Sequence, residues 1–403
     1  MSNSLLTTDL ITKECLRLAH EKATFLGTVN RQFDESFGNT GGAGKIGTTL
    51  RIRLPSQYTV TTGRVANVQD MEEQNTSLVV ATQKHVAMEI SSVDMLMSLQ
   101  DFSKIHLKPA MATLISDVES DVLQGVTRLV ANVAGTAGSA ISSLTTPGLA
   151  RAQLNRNLAP KGDRFLQMDS QTMGTMVANA TAYFNPANAL SEQYREGIIA
   201  RTSMADYYEN ERIWSLTNSG DVTCTLSTYT IINGDTDLTV SSWGVPSTGM
   251  VFTIANLYDC HPETKAAYPY LKQHVVRAGS TSSSVSTYPI YITGARKNVA
   301  TAAGADITPS NFTSAALVFV GDTTTTYTQP LMYHRDAFTF ATGDLPLMAG
   351  ADLCARRTFD GISLRFWRDG DIRNDQLISR IDILYGYAAI RPQWACRMVG
   401  ASA

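Results

Sequence analysis

The sequence predicts an α+β fold divided among several domains. Its 403 residues, 43% of them hydrophobic, are enough for two or three domains rather than one. One long amphipathic pattern predicts a single dominant helix, and apolar residues that alternate with polar ones predict strands before and after it. A Thr-, Ser- and Gly-rich stretch in the second half predicts a domain made almost entirely of strands.

The first predicted elements are a short helix and a long hairpin. Apolar residues at near-helical spacing in 4–20 predict the helix, and a Gly-rich segment follows it. Alternating apolar residues in 48–54 predict a strand, and 77–81 predicts its partner. The polar connection 55–75 is long, so we expect a hairpin that reaches away from any core and needs a partner surface.

The clearest pattern in the sequence is one long amphipathic helix. Seven apolar residues from Met111 to Val133 recur every three or four positions, which predicts a helix from Leu107 to Ala134 that ends at Gly135. At 1.5 Å per residue such a helix would be about 40 Å long. A helix of that length is suited to bracing an elongated subunit.

The remaining elements are shorter. Arg164–Met168 reads as a strand, Asp169 as the cap of a following helix, and 191–199 as a further helix. The segment 218–329 then reads as an inserted β-rich domain. Strands through Ile362–Phe366 and Ile381–Tyr385 are expected to complete the unit that this insertion interrupts.

Charge and cysteine content exclude some classes of protein. The net charge of −3 argues against a dedicated nucleic-acid binder, so any contact with DNA is expected to be weak and diffuse. The five cysteines are scattered singly, which predicts buried thiols in a reducing compartment. We find no signal-peptide pattern and no apolar run of about 18 residues, so the chain is expected to be neither exported nor membrane-embedded.

Two segments resemble ligand-binding loops and fail on spacing. Gly38–Lys45 is rich in glycine and ends in lysine, but five residues separate Gly38 from Gly44, Ile46 replaces the magnesium-binding Ser or Thr, and a strand is predicted next. It is interpreted as a flexible hinge. Asp369–Asp375 alternates carboxylates as a calcium loop does, yet Arg373 occupies a ligand position. A turn between two strands is the preferred interpretation, with calcium as the alternative.

No catalytic, metal or cofactor site is predicted. The six histidines form no HExxH pair and no Cys/His cluster, and no GxSxG motif occurs. A catalytic constellation scattered through the sequence stays open as an alternative. Tyr385, Tyr387 and Trp394, beside Arg391, could stack on bases, but their strand spacing favours a place in the core.

Five segments, read in order, carry a resemblance to a known family. They are Thr28–Phe33, Arg51–Pro55, the long helix with Asp117, Glu119 and Asp121, Tyr333–Phe338, and Phe359–Arg365. Together they resemble the major capsid (coat) proteins of tailed phages with the Hong Kong 97-type fold, most closely those of short-tailed enterobacterial phages whose coat protein carries an inserted β domain.

The resemblance implies a division of the chain into the parts of that fold. They are an N-terminal arm (1–37), an extended hairpin loop (38–82), a peripheral domain with the spine helix (83–146), the first part of an axial domain (147–217), the inserted β-rich domain (218–329) and an axial/peripheral part with the closing strands (330–403).

The resemblance also implies a function without enzymatic activity. Subunits would tile as hexamers and pentamers into an icosahedral shell around double-stranded DNA, with a scaffolding protein and a portal protein as partners and with no membrane. Assembly would occur in the host cytoplasm and the protein would reside in the virion. The inserted domain would aid folding or contacts across the shell.

Two departures refine this expectation. Residues 55–75 contain no lysine, so the lysine–asparagine cross-link found in some relatives is not expected. The given sequence starts directly at the arm, which led us to expect a separate scaffolding protein.

The hairpin carries the residues predicted to contact neighbouring subunits. They are the basic Arg51, Arg53 and Arg64 and the acidic Asp70, Glu72 and Glu73. Their opposite charges could complement each other between adjacent copies, or each could be a solvated surface residue. The alternative functions are a tail-tube or decoration subunit, or a cytoplasmic hydrolase with a β accessory domain.

Overall fold

The computed structural model shows a mixed α+β protein with few helices and many strands. It describes residues 8–33, 49–89, 106–180 and 205–400, apart from gaps at 67, 71–72, 220–222, 228–230, 242–243, 303, 305–306, 308–314, 349, 351–352, 360 and 372–375. The predicted helix at 191–199 and the Gly38–Lys45 segment lie outside these residues.

The described helices are α1 (Thr8–Lys22), α2 (Lys108–Thr127), α3 (Thr145–Arg156) and α4 (Ser170–Ala180). The described strands are β1 (Thr49–Leu54), β2 (Gln74–Val79), β3 (Thr82–Glu89), β4 (Val133–Ala134), β5 (Arg164–Met168), β6 (Asp206–Glu209), β7 (Ser215–Thr217), β8 (Thr223–Thr225), β9 (Asp235–Thr239), β10 (Val251–Cys260), β11 (Ala267–Val275), β12 (Ser284–Ile290), β13 (Val299–Ala300), β14 (Ala316–Phe319), β15 (Thr326–Thr328), β16 (Leu331–His334), β17 (Phe338–Thr342), β18 (Leu353–Phe359), β19 (Ile362–Asp371), β20 (Gln376–Ala389) and β21 (Ala395–Met398).

The chain forms two compact units, each built from separate stretches of sequence. The first comprises Met1–Ile52, Asn75–Val122 and Phe338–Ile390. The second comprises Arg53–Gln74, Leu123–Ala337 and Arg391–Ala403.

The first unit is organised around β20, which pairs antiparallel with β19, β17 and β3, while β18 extends the sheet beyond β19. Helix α1 lies against β18 and β19. Gly386 on β20 is required by close packing, because a Cβ there would lie 2.0 Å from the carbonyl oxygen of Val79. Every other residue type would therefore push the two strands apart.

Helix α2 contributes a continuous apolar face to this unit, as its periodicity predicts. Met111, Ile115, Val118 and Val122 are all at most 1% exposed. Between these apolar residues, Asp117 forms an ion pair with Lys84 on β3 at 2.7 Å. Glu119 is fully buried and accepts hydrogen bonds from the segment that follows α1.

The second unit contains a five-stranded sheet in the order β4-β21-β16-β5-β6. Strands β4 and β21 are parallel, as are β5 and β6, and β16 is antiparallel to both of its neighbours. Helices α3 and α4 share a core with this sheet, in which Leu154, Leu166 and Met332 are fully buried. The predicted strand Arg164–Met168 is confirmed as β5, and Asp169 caps α4 by accepting from the backbone N–H of Thr172 at 2.9 Å.

The β-rich part of this unit has its own hydrophobic core. Strands β8, β10, β11 and β14 form one sheet to which β13 adds at β10, and β9 pairs with β12 and β7 with β15. Phe252, Ile254, Leu257 and Leu317 are fully buried there. These strands lie within the segment 218–329 that the sequence predicts to be β-rich.

Two sequence-based expectations about the elements are wrong. The long helix ends at Thr127 and is about 30 Å long rather than about 40 Å. It does not continue to Ala134 as predicted, because Val133 is held in a strand. Its backbone N–H donates to the side-chain oxygen of Gln273 at 2.8 Å and its carbonyl accepts from the same side chain at 3.0 Å, while β4 pairs with β21. No local periodicity encodes these distant partners.

The second error concerns the closing strands. Ile362–Phe366 and Ile381–Tyr385 are strands, but they belong to β19 and β20 in the sheet of the first unit. The sheet begun by β5 is completed instead by β16 and β21. Apolar alternation identifies a buried strand without stating which strand it pairs with.

Candidate subunit-contact surface

The predicted hairpin is present, and its second strand begins earlier than the sequence indicated. Strands β1 and β2 pair as an isolated two-stranded sheet, with β2 starting at Gln74. The connecting residues 55–73 contain neither helix nor strand in their described part. A two-stranded ribbon without further strands is marginally stable by itself, so this segment depends on contacts elsewhere.

A side-chain clasp holds the two sides of the connection together. The backbone N–H of Thr59 donates to the side-chain oxygen of Gln69 at 2.9 Å, and the Gln69 amide donates to the Thr59 carbonyl at 2.6 Å. Between them, Gly63 adopts a φ of +140°, a backbone conformation that residues other than glycine rarely adopt. The hairpin tip is therefore shaped by its own sequence.

The tip of the hairpin presents apolar side chains to solvent. Val60, Val65 and Val68 are 97%, 87% and 90% exposed, and Tyr58 is 56% exposed. Single exposed apolar residues are ordinary, but several on one short loop make the tip a candidate contact surface. Sequence analysis missed these valines, although isolated valines in an otherwise polar connection were a visible signal.

The structure places the predicted charged residues other than Glu72 on the same hairpin. Arg53 and Glu73 form an ion pair across its base, with Nη1 and Oε1 3.6 Å apart and side chains 80% and 61% exposed. Such an exposed pair contributes little to stability. Arg51, Arg64 and Asp70 are exposed and have no ion-pair partner among the described residues, and Glu72 lies outside them.

The hairpin base is anchored to the second unit. Lys265, in the β10–β11 connection, donates from Nζ to the side-chain oxygen of Gln57 at 3.2 Å. The described residues from Tyr58 to Val68 form the tip of the hairpin and do not pack in the core of the unit. The arrangement is suited to reaching a neighbouring molecule.

Other candidate chemistry from the sequence finds its place in the structure. Asp369–Asp371 form the end of β19, and Asp371 pairs with Gln376 at the start of β20; the rest of the predicted turn, 372–375, lies outside the described residues. Tyr385 is fully buried, stacks on Phe340 and donates to Asp121 at 2.5 Å, so it belongs to the core. Burial first, and then the Asp121 carboxylate, raise its pKa.

Trp394 also packs within the protein. Its ring meets His334 edge-on at 5.5 Å, and the Arg391 guanidinium lies 4.1 Å from its centroid. Across the described ranges, no three His, Cys, Asp or Glu side chains cluster closely enough to hold a metal ion. None of the helices described is long and apolar enough to cross a membrane.

Comparisons with known proteins give structural likenesses only. No family model and no curated protein sequence matches the chain. A structure from Mycobacterium phage Che8 is 10% identical with a TM-score of 0.49, covering 93% of this chain and 90% of that one. The capsid of cyanophage P-SCSP1u is 12% identical, with a TM-score of 0.43 and coverages of 94% and 93%. The capsid of Ralstonia phage GP4 is 8% identical, with a TM-score of 0.44 and coverages of 95% and 92%.

Proposed function

We propose that this chain is the major capsid subunit of a tailed phage, a non-enzymatic building block that assembles with copies of itself. The observation that carries the proposal is the hairpin between β1 and β2, whose tip exposes Val60, Val65 and Val68 almost completely. It agrees with the sequence resemblance, in which this hairpin is the extended loop that lies over a neighbouring subunit.

The physical argument rests on what covering the tip would gain. Burial of one valine side chain is worth roughly 1.5 kcal/mol at the lower end of the usual range. A contact in which the tip of one copy lies on a different surface of the next is heterologous, and such contacts close into rings when the rotation allows it. Many such contacts summed over a shell give a stable assembly.

The charged residues would set the position of this contact. Arg51, Arg53 and Arg64 lie on the first half of the hairpin, whereas Asp70, Glu72 and Glu73 lie on the second. Opposite charges placed in this way on every copy favour one orientation of neighbours and penalise like-charge contacts. The Arg53–Glu73 pair is exposed enough to exchange partners on assembly.

The finer parts of the proposal follow the resemblance. Subunits would form hexamers and pentamers of an icosahedral shell around double-stranded DNA, with a scaffolding protein and a portal protein, during assembly in the host cytoplasm. The β-rich segment 218–329 would be the inserted domain of the short-tailed enterobacterial type. The net charge of −3 agrees with weak, non-specific contact to packaged DNA.

The test is electron microscopy of the purified full chain, produced alone and with the scaffolding protein of its phage. We expect closed shells tens of nanometres across or sheets of hexamers. Tubes or small rings would instead show a tail protein, and particles that stay monomeric under both conditions would refute assembly.

A set of variants links assembly to the hairpin tip. The triple change Val60→Ser, Val65→Ser and Val68→Ser should abolish shells and leave a folded monomer. Ile232→Ser and Val245→Ser change exposed apolar side chains outside the hairpin, at 60% and 58%, and should assemble normally. Equal assembly by the triple variant and these controls would show that the tip is not the contact.

The charge hypothesis has its own experiment. Arg64→Glu should slow or block assembly, and adding Asp70→Arg on the same chain should restore part of it by exchanging the two signs. Unchanged assembly of Arg64→Glu would refute a role for these charges and leave the apolar tip as the contact.

A further inference from the structure

The second unit encloses a cavity of about 490 Å³ that the capsid proposal does not use. Its walls come from strands β10, β11 and β12, the last turn of α3, the turn at Pro392–Trp394 and the hairpin base. The volume falls within the range of about 300–1,000 Å³ that is usual for small-molecule sites.

The cavity is strongly basic. Its described lining contains five cationic side chains and one carboxylate, Asp259, which leaves a net charge of +4. The cationic residues are Arg156, Lys265, Lys272, Arg296 and Lys297. A concentration of this kind contrasts with the whole chain, whose net charge is −3.

Neighbouring side chains position these cationic groups around the cavity. The Arg156 guanidinium lies 3.8 Å from the centroid of the Tyr270 ring. Lys272 pairs with Asp259 at 2.6 Å, with both side chains largely buried. Arg296 donates to the Tyr291 hydroxyl at 3.0 Å. Positive groups held close together by the fold repel one another unless an anion lies between them.

Two buried polar atoms in residues of the wall lack a hydrogen-bond partner among the described residues. They are Nε2 of His274 and Oγ1 of Thr287, in residues that are 5% and 2% exposed. Each atom is almost completely shielded from solvent, so the cationic side chains, and not these two atoms, are the groups available to a ligand. Burial, with a smaller effect from Lys272, lowers the pKa of His274 to about 3, so the ring is neutral at pH 7.

We propose that this cavity binds a small anion carrying two or more phosphate groups, of the size range from pyrophosphate to a nucleoside triphosphate. The basic side chains of the lining neutralise the phosphates.

Charge and size together select this class. A polyphosphate carries several negative charges on neighbouring groups and can contact several of these cationic side chains at once, whereas a single phosphate or sulfate reaches fewer of them. Arginine and lysine side chains are the usual phosphate-binding groups, with arginine able to donate two parallel hydrogen bonds. The site requires only this one chain, so it does not depend on the capsid proposal.

The experiment is isothermal titration calorimetry and thermal unfolding of the full chain with pyrophosphate, tripolyphosphate, ATP, dATP and sulfate at constant ionic strength. Tripolyphosphate should bind at least tenfold more tightly than sulfate and should raise the unfolding temperature. Equal affinity for tripolyphosphate and ATP would assign recognition to the phosphates alone. Tighter binding of ATP or dATP would assign the site to a nucleotide.

Variants test the location of the site. Arg156→Gln combined with Lys265→Gln should weaken tripolyphosphate binding at least tenfold. Arg277→Gln removes an exposed arginine of the same unit that does not line the cavity, and it should bind like the wild type.

Three results would overturn the proposal. The first is that millimolar tripolyphosphate produces neither a heat of binding nor a shift of the unfolding temperature. The second is that Arg277→Gln loses as much binding as the cavity variants. The third is that an acidic peptide such as oligo-glutamate binds in preference to the phosphates. The last result would identify a protein partner instead. None of these outcomes bears on shell formation, which the microscopy tests separately.

Discussion

Replacement of Asp382 by alanine should be strongly destabilising because it removes the carboxylate that Arg365, Arg380 and Trp367 share in a buried cluster. Asp382 lies on β20 with a fully buried side chain. Its Oδ2 atom accepts from Nη2 of Arg365 at 2.6 Å and from the Trp367 indole at 2.9 Å, and its Oδ1 atom accepts from Nε of Arg380 at 2.6 Å. Arg365 faces Asp382 directly across the β19–β20 register.

The magnitude follows from what the substitution leaves behind. The Arg365 side chain is only 4% exposed, so its charge would stay buried without a counter-ion, apart from the hydrogen bond that it donates to the Pro346 carbonyl. Removing one partner of a buried ion pair costs about 3–5 kcal/mol. This is a large part of the total stability of about 5–15 kcal/mol that folded proteins have.

The charge state of Asp382 gives the same prediction a pH dependence. Burial alone would raise its pKa, but the hydrogen bonds from Arg365 and Arg380 outweigh that effect and lower the pKa below 3.8. Because the folded-state value is the lower one, the stabilisation is complete above the unfolded-state pKa and is lost as the pH falls through the folded-state pKa. The difference between wild type and variant should therefore shrink in acid.

The assay is urea unfolding at pH 7 monitored by tryptophan fluorescence, since Trp367 lies within the cluster. Hydrogen exchange of peptides from β19 and β20 gives a local readout. Glu14→Gln is the matched control, because Glu14 pairs with Arg17 at 2.7 Å on the surface and should change stability by about 0.5 kcal/mol or less. If Asp382→Ala differs from this control by less than about 1 kcal/mol, the cluster does not stabilise the sheet as argued.

Two further predictions concern single buried groups. Glu119 accepts hydrogen bonds from the Thr24 backbone N–H and hydroxyl and from the Phe25 backbone N–H at 2.6–3.1 Å. Glu119→Gln should therefore lower the free energy of unfolding by about 1–3 kcal/mol and speed hydrogen exchange in the segment after α1. Unaltered exchange in that segment would contradict this prediction. Burial, and to a smaller extent the charge of Lys272, lowers the folded-state pKa of His274 to about 3. Below pH 6.5 the unfolded chain binds a proton at this residue that the folded chain does not bind, so the free energy of unfolding of the wild type should fall by about 1.4 kcal/mol per pH unit. His274→Phe, compared by urea unfolding between pH 5 and 7, should remove about 2 kcal/mol of that loss, and parallel profiles would refute it.

The sequence by itself determined the elements whose signals are local. The alternation in 48–54 predicted β1, the periodicity from Met111 predicted α2, and Asp169 at its capping position predicted the start of α4. These signals are legible because the pattern of one helix or strand is set by which of its faces is buried. The length and polarity of 55–75 also predicted a hairpin that projects from the core.

Only the tertiary structure decided which distant segments meet. Val133 continues a helical pattern, yet Gln273 and β21 hold it in a strand, because long-range hydrogen bonds outweigh a weak local preference. Strand β3 follows the hairpin in sequence but pairs with β20 some 300 residues later. The basic cavity joins side chains from Gln57 to Gln393. No spacing rule relates such positions, since their proximity is created by the fold and not by their place along the chain.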